Sequence, residues 1–211
     1  NDVPGLWTDI SVFHTMASKF PNTDVEIIQD EMIQDGFTVF GGAFPAIQSG
    51  LIDKVGNEIW NDGNGQFMLV HVNKFGNIYG LSVFDYPSNT GTKINYGLEF
   101  IWSAPATSQA AIDIHEIKQI PNGNYMAFVP DLRLGPIPQG DWTFIYQSFG
   151  YIADGVTDEY PWIGMRIVEW DEDGNQVWNW DPFEHFTMDD YDAYGGIWWD
   201  FNAGRHDWMH S

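Results

Sequence analysis

Residues 170–178 read Trp170-Asp171-Glu172-Asp173-Gly174-Asn175-Gln176-Val177-Trp178. In this stretch an apolar residue, an acidic residue and a Gly-Asn pair precede a large aromatic side chain. The same pattern, with Asn in place of Asp in one copy, recurs at residues 52–60 and 72–79, and residues 121–125 carry a shorter version. Gly and Asn tolerate the positive φ angles that the tight turns of β-hairpins require. The repeat therefore predicts a series of β-hairpins.

The chain from Gly36 onward has the composition of short strands. Runs rich in aromatic and β-branched residues alternate with clusters of Gly, Asn, Asp and Pro, and no segment keeps a helical period. We therefore expect an all-β domain over residues 36–211 with very little helix, preceded by an N-terminal lead-in over residues 1–35. Recurring hairpins are typical of a β-propeller with four-stranded antiparallel blades, and a single β-sandwich is the alternative.

The composition excludes several classes of protein. The 211 residues include 30 acidic and 8 basic side chains, and the net charge of -22 would repel nucleic acids and anionic membranes. There is no Cys, so a disulfide scaffold and a thiolate metal site are excluded. No apolar run approaches the length of about 18 residues that a transmembrane helix needs. The acidic surface indicates solubility in a salty medium or, alternatively, cation binding.

Three segments occur in an order and with a spacing that are informative. They cover residues 35–60, residues 113–125 and residues 167–211. Their central motifs are Gly36-Phe37-Thr38-Val39-Phe40 with Ile52-Asp53, then Pro121-Asn122-Gly123-Asn124, and finally Gly174-Asn175-Gln176-Val177-Trp178-Asn179-Trp180-Asp181 followed by Asp207-Trp208-Met209-His210. Together the three segments resemble the bacterial arylsulfotransferases, the aryl-sulfate sulfotransferase family.

The resemblance implies both a fold and an activity. Members of that family form propellers of about six blades. This chain would then form about half of a propeller, and the rest would lie in a missing C-terminal half or in a partner chain. The implied reaction is nucleotide-independent transfer of a sulfuryl group from an aryl sulfate to a phenol through a His intermediate. The implied location is periplasmic or extracellular, and the 211-residue chain alone would be inactive.

Candidate site residues cluster near the end of the sequence. Residues 205–210 hold one of the eight basic side chains and two of the six His, which concentrates positive potential in an acidic chain. If this stretch is a strand, alternate side chains from His206 to His210 share one face. The resemblance implies that His210 is catalytic. The other residues of the cluster, Arg205, His206, Asp207 and Trp208, are the candidates for substrate binding, because an anionic substrate would need local positive potential. A hydrogen-bonded His beside a core Trp is the alternative.

His115 is the second catalytic candidate. It lies in the alternating segment of residues 112–117, whose Ile side chains occupy the opposite face. The family often carries two adjacent His at this point, whereas this chain has Ile114, so a paired role is in doubt. A channel-facing His115 would approach His210 on the inner side of the sheets, and a surface His is the alternative. We assign no site role to His14, His71 or His185.

The implied reaction requires neither a cofactor nor a metal. Calcium is an alternative at two acidic stretches, residues 189–192 and residues 171–175, although the second lacks the downstream Glu of a calcium loop. Two other functions compete with the sulfotransferase. One is a non-catalytic secreted propeller that serves as a scaffold or adhesion module. The other is a glycosidase that uses paired carboxylates.

Overall fold

The computed structural model describes residues 17–19, 30–42, 48–63, 67–82, 91–105, 116–188, 190, 199–200 and 204–209. Within these ranges the chain forms thirteen strands and one short α-helix. The all-β class predicted from the hairpin repeat is therefore confirmed, together with the low helix content after residue 36. The strands form three sheets, here called A, B and C, which follow one another along the chain.

Sheets A and B are antiparallel meanders, in which each strand pairs with the next strand along the chain. Sheet A contains β1 (Thr38–Gly42), β2 (Gln48–Ile52) and β3 (Glu58–Asn61). Sheet B contains β4 (Phe67–Val72), β5 (Ile78–Ser82), β6 (Gly91–Ile94) and β7 (Phe100–Ser103). Aromatic and β-branched side chains favour these extended segments because they pack well on a pleated surface.

Sheet C is the largest sheet and is built around one long strand. Its strands are β8 (Ile117–Gln119), β9 (Tyr125–Gly135), β10 (Tyr160–Trp170), β11 (Gln176–Trp180), β12 (Trp199–Asp200) and β13 (Arg205–Asp207). One edge of β10 pairs with β9 over its whole length. The other edge pairs antiparallel with β11 near its end and parallel with β13 near its start.

Helix α1 (Thr143–Ser148) lies between β9 and β10, in a part of the chain for which the sequence predicted no helix. Its buried Tyr146 packs with Ile137, Ala153 and Tyr160 in a small core of its own. No helix in the described ranges is long and apolar enough to cross a membrane.

The repeated motif forms the turns that join the hairpins. In the β2–β3 turn, the Asp53 N–H donates to the Asn57 carbonyl at 2.9 Å, and the Asp53 carboxylate accepts from the Asn57 backbone N–H at 2.8 Å. Hydrogen bonds from Asn57 hold the pKa of Asp53 below its usual value. Gly56 supplies the positive φ of 92° that the turn needs. The equivalent glycines of the other predicted turns, Gly76, Gly123 and Gly174, also have positive φ.

Sheet B is covered on both faces, and this determines how the three sheets pack. Alternate residues of β4 point to opposite sides of the sheet. Phe67 and Leu69 pack with Leu51 and Trp60 of sheet A in one core cluster. Met68 and its neighbour on the same face pack against the second cluster, which contains Ile117, Tyr125, Ala127, Val129, Val168 and Trp170 of sheet C. The sheets therefore stack face to face in chain order.

Candidate functional site

The two catalytic candidates, His210 and His115, lie outside the described residues, as does most of the acidic stretch at residues 189–192. The expected approach of His115 to His210 therefore stays a prediction. The four substrate-binding candidates, residues 205–208, are described. The geometry of the site is built from these four residues and from their neighbours in sheet C.

Strand β13 attaches the candidate segment to the sheet. It pairs in parallel with β10, with His206 beside Trp162 and Asp207 beside Ile163. Beyond the strand, the Trp208 N–H donates to the Ile163 carbonyl at 3.2 Å. His206 and Trp208 both contact the Trp162 ring, which is the shared face that strand alternation predicts. Residues 204–209 are thus held against β10 by backbone and ring contacts together.

His206 packs against the Trp162 ring, which belongs to a larger group of aromatic side chains. The Trp162 ring is fully buried, and its centroid lies 4.4 Å from that of His206 in an edge-to-face arrangement. The Trp208 ring centroid lies 5.8 Å from Trp162 and 5.1 Å from Phe183. The Trp162 indole N–H donates to the Pro136 carbonyl at 2.9 Å, which fixes the ring. We call Trp162, His206, Trp208, Phe183 and the adjacent Arg133 the Trp162 cluster.

Arg133 brings a positive charge to the Trp162 cluster. It pairs with Trp162 across β9 and β10, and its guanidinium lies 4.6 Å from the centroid of the Phe183 ring. Two carboxylates hold it, Asp131 at 3.3 Å and the buried Asp181 in a second ion pair. Asp181 also accepts a hydrogen bond from the Phe183 N–H at 3.0 Å. The guanidinium is therefore fixed in place and its charge is balanced by its two partners.

His206 is the buried titratable group of the cluster. Its side chain is 5% exposed. Burial lowers the pKa of His206 from its usual value of 6.5 to about 4, and the charge of Asp207 opposes this shift only in part. The imidazole is therefore neutral at pH 7. A neutral imidazole can act as a nucleophile or accept a hydrogen bond, but it supplies no fixed positive charge for an anion.

The low pKa of His206 makes stability depend on pH. Between pH 6.5 and about 4 the unfolded chain binds a proton that the folded chain excludes, so the free energy of unfolding falls with falling pH. From about pH 7.5 to about pH 5 we expect a loss of about 2 kcal/mol from this group. In urea titrations at the two pH values, His206→Gln should remove most of that loss. The same substitution at the exposed His71 is the control and should leave the wild-type difference unchanged.

The sequence identified part of this arrangement and missed the rest. His206 and Trp208 lie in the cluster, whereas Arg205 is exposed and alternation turns Asp207 to the other face of the sheet. Arg133, Trp162 and Phe183 were not predicted because they are far from residues 205–208 in the sequence. The sequence did contain one signal, because all three Arg of the chain lie in its second half, at Arg133, Arg166 and Arg205. The structure places each of them in a strand of sheet C.

The turn of residues 171–175 is one of the two acidic stretches at which calcium is an alternative. The Asp171 carboxylate accepts hydrogen bonds from the backbone and side-chain N–H groups of Asn175, at 2.8 and 3.0 Å. The turn therefore uses this carboxylate for its own geometry. The described ranges contain no group of three His, Asp or Glu side chains placed to hold a metal ion. The other calcium alternative, at residues 189–192, is not tested because only Asp190 is described there.

Comparison with known proteins adds no family assignment. No protein-family model matches the chain, and no curated protein is significantly similar to it. The resemblance to the arylsulfotransferases therefore rests on the three ordered segments of the sequence alone.

Proposed function

We propose that this chain is part of a nucleotide-independent sulfotransferase, which moves a sulfuryl group from an aryl sulfate to a phenol. The observation that carries the proposal is the pairing of β13 with β10, which holds His206 and the following Trp208 beside the ring of Trp162. The same segment resembles the Asp-Trp-x-His motif of the arylsulfotransferases. The partly exposed Trp208 ring suits an aromatic substrate, and His210, two residues further along the chain, would supply the nucleophile.

In this proposal sheets A, B and C are successive blades of a propeller that begins after the lead-in of residues 1–35. The meanders β4–β7 and β8–β11 have the strand order and strand number of four-stranded blades. Face-to-face packing of the sheets in chain order also agrees with a propeller. The remaining blades would come from further sequence or from a partner chain, in a periplasmic or extracellular protein.

The proposed reaction assigns a role to each candidate residue. The His210 imidazole attacks sulfur, and the bond from sulfur to the phenolic oxygen breaks to release the donor phenol. A second phenol then takes the sulfuryl group from His210, with proton transfer assisted by His115. Arg205, His206, Asp207 and Trp208 would bind the substrate. The charge on the three sulfuryl oxygens needs fixed donors and cations, which an acidic chain must provide locally.

Transfer from 4-nitrophenyl sulfate to phenol, followed as released nitrophenolate without added nucleotide, tests the proposal in the complete protein. We expect turnover that depends on the acceptor phenol, because the sulfated His must be discharged before the next cycle. The 211-residue chain should be inactive alone, since the remaining blades would complete the site. A folded complete protein without transfer across a panel of aryl sulfates would reject the proposal.

A non-catalytic scaffold or adhesion module is the second candidate. It is favoured because two groups of the Trp162 cluster already have partners within the protein: Trp162 is fully buried, and the charge of Arg133 is balanced by Asp131 and Asp181. Such a cluster also has a purely structural use, because it joins β13 to the sheet. Binding separates the two candidates. If the protein is a sulfotransferase, saturable binding of 4-nitrophenyl sulfate should quench its Trp fluorescence. If it is a scaffold, its Trp fluorescence should show no saturable quenching by this compound.

A further inference from the structure

Arg166 occupies an unusual position on sheet C. It lies in β10 and pairs with Val129 of β9, so it shares a face with Val168 on one side and Gly164 on the other. Val129 and Val168 belong to the core between sheets B and C. Gly164 is covered by Phe183, because a Cβ at this position would lie 2.7 Å from the Phe183 ring. Arg166 therefore lies between the part of this face that is covered by sheet B and the part that is covered by Phe183.

The guanidinium of Arg166 has no partner among the residues that the structure describes. It takes part in none of the ion pairs of this region, in contrast to Arg133, which has two carboxylate partners. Its Nε is buried and makes no hydrogen bond. A buried donor on a charged group costs free energy when it is unsatisfied, and such a group in a native protein calls for a water or a ligand. In a chain of net charge -22, the missing partner is not explained by a shortage of carboxylates.

We propose that Arg166 is the anion-binding residue of this protein, and that its ligand is a tetrahedral oxyanion group of the sulfate type. The planar guanidinium presents donors in a fork that matches two oxygens of such a group, whereas the neutral His206 supplies no charge. Arg133 is excluded from this role because Asp131 and Asp181 already occupy its donors. The identification of the oxyanion as the sulfuryl group of an aryl sulfate rests on the proposed function, while the anion site itself does not.

The experiment measures binding of sodium sulfate and of 4-nitrophenyl sulfate by isothermal titration calorimetry, in sodium chloride of matched ionic strength. We expect Arg166→Met to weaken saturable binding by about 10- to 100-fold, because charge-assisted hydrogen bonds are lost. Arg166→Lys keeps the charge without the forked donors, so its affinity for the anions should lie between those of the wild type and Arg166→Met. Lys118→Met is the matched control, since it removes one exposed positive charge from the same sheet and should bind as the wild type does. Circular dichroism establishes that each variant is folded.

The outcomes separate the anion site from the sulfotransferase. If Arg166→Met loses binding of both sulfate and 4-nitrophenyl sulfate, the result supports the anion site and its use for aryl sulfates. Loss of inorganic sulfate binding, in a protein that never binds 4-nitrophenyl sulfate, supports the site and argues against the proposed function. Equal binding by the wild type and Arg166→Met, or no saturable binding of either anion by the wild type, overturns the inference. An equal loss in Lys118→Met would assign the effect to net charge and would also overturn it.

Discussion

Replacing Trp162 with Ala should lower the free energy of unfolding by about 3–5 kcal/mol. Trp162 is among the largest fully buried side chains of the described chain, so the substitution leaves a cavity as well as losing buried apolar area. It also removes the donor to the Pro136 carbonyl and the ring against which His206 and Trp208 pack. Urea unfolding followed by circular dichroism measures the change. Release of β13 should accompany it, because the ring contacts supplement the two residue pairs between β13 and β10.

Trp178 provides a matched control on the same sheet. It lies in β11, and its side chain is 46% exposed. Trp178→Ala should therefore change stability by no more than about 0.5 kcal/mol, the usual range for an exposed position. Trp162→Phe keeps an aromatic ring, so its loss of free energy of unfolding should lie between those of Trp178→Ala and Trp162→Ala. If Trp162→Ala costs no more than Trp178→Ala, the cluster does not stabilise the fold and our account of how β13 is held is wrong.

The hairpins could be predicted from the sequence because their turns are specified locally. Within five consecutive residues, an Asp or Asn side chain accepts backbone N–H groups and a Gly provides the positive φ. Nothing distant in the sequence is needed to close such a turn. The strands on either side then follow from the aromatic and β-branched residues, and the fold class follows from the number of hairpins.

The β6–β7 hairpin has the same turn hydrogen bonds but lacks the Gly-Asn pair of the sequence pattern. In the β6–β7 turn the Asn95 N–H donates to the Glu99 carbonyl at 3.1 Å, and the Asn95 side chain accepts from the Gly97 and Glu99 N–H groups. The position with positive φ is occupied by Leu98, at 64°, where the other turns carry Gly. Leu is strained in this conformation, and its packing against the core between sheets A and B compensates. Tertiary contact has replaced the local signal.

The site could be predicted only in part, for a different reason. Alternation along β13 fixes which side chains share the face of His206, and that is a local property. The strand that receives β13, and the register that places His206 beside Trp162, depend on the packing of segments more than 40 residues apart in the sequence. The contribution of Arg133 depends in addition on Asp181, which follows β11. No spacing within the sequence encodes these contacts, so Arg133 and Arg166 of sheet C were not recognised.

His210→Ala should abolish sulfuryl transfer by the complete protein if His210 is the nucleophile. The sulfated intermediate forms on this imidazole in the proposed reaction, which assigns no other group to carry the sulfuryl group between the two phenols. If His210 instead supplies one hydrogen-bond donor to the sulfuryl oxygens, the loss should be roughly 10²–10³-fold. Steady-state rates with 4-nitrophenyl sulfate distinguish these two results.

The position of His210 in the sequence makes the test selective. The preceding Met209 N–H lies 3.4 Å from the Ile163 carbonyl, so the segment is attached to β10 through backbone groups that His210→Ala does not remove. The variant should therefore unfold in urea at the same midpoint as the wild type. His71→Ala is the control, since His71 is exposed on β4 and stacks on Tyr79 at 5.9 Å, away from the Trp162 cluster. Full turnover by a folded His210→Ala protein would exclude a His210 intermediate and, with it, the mechanism proposed here.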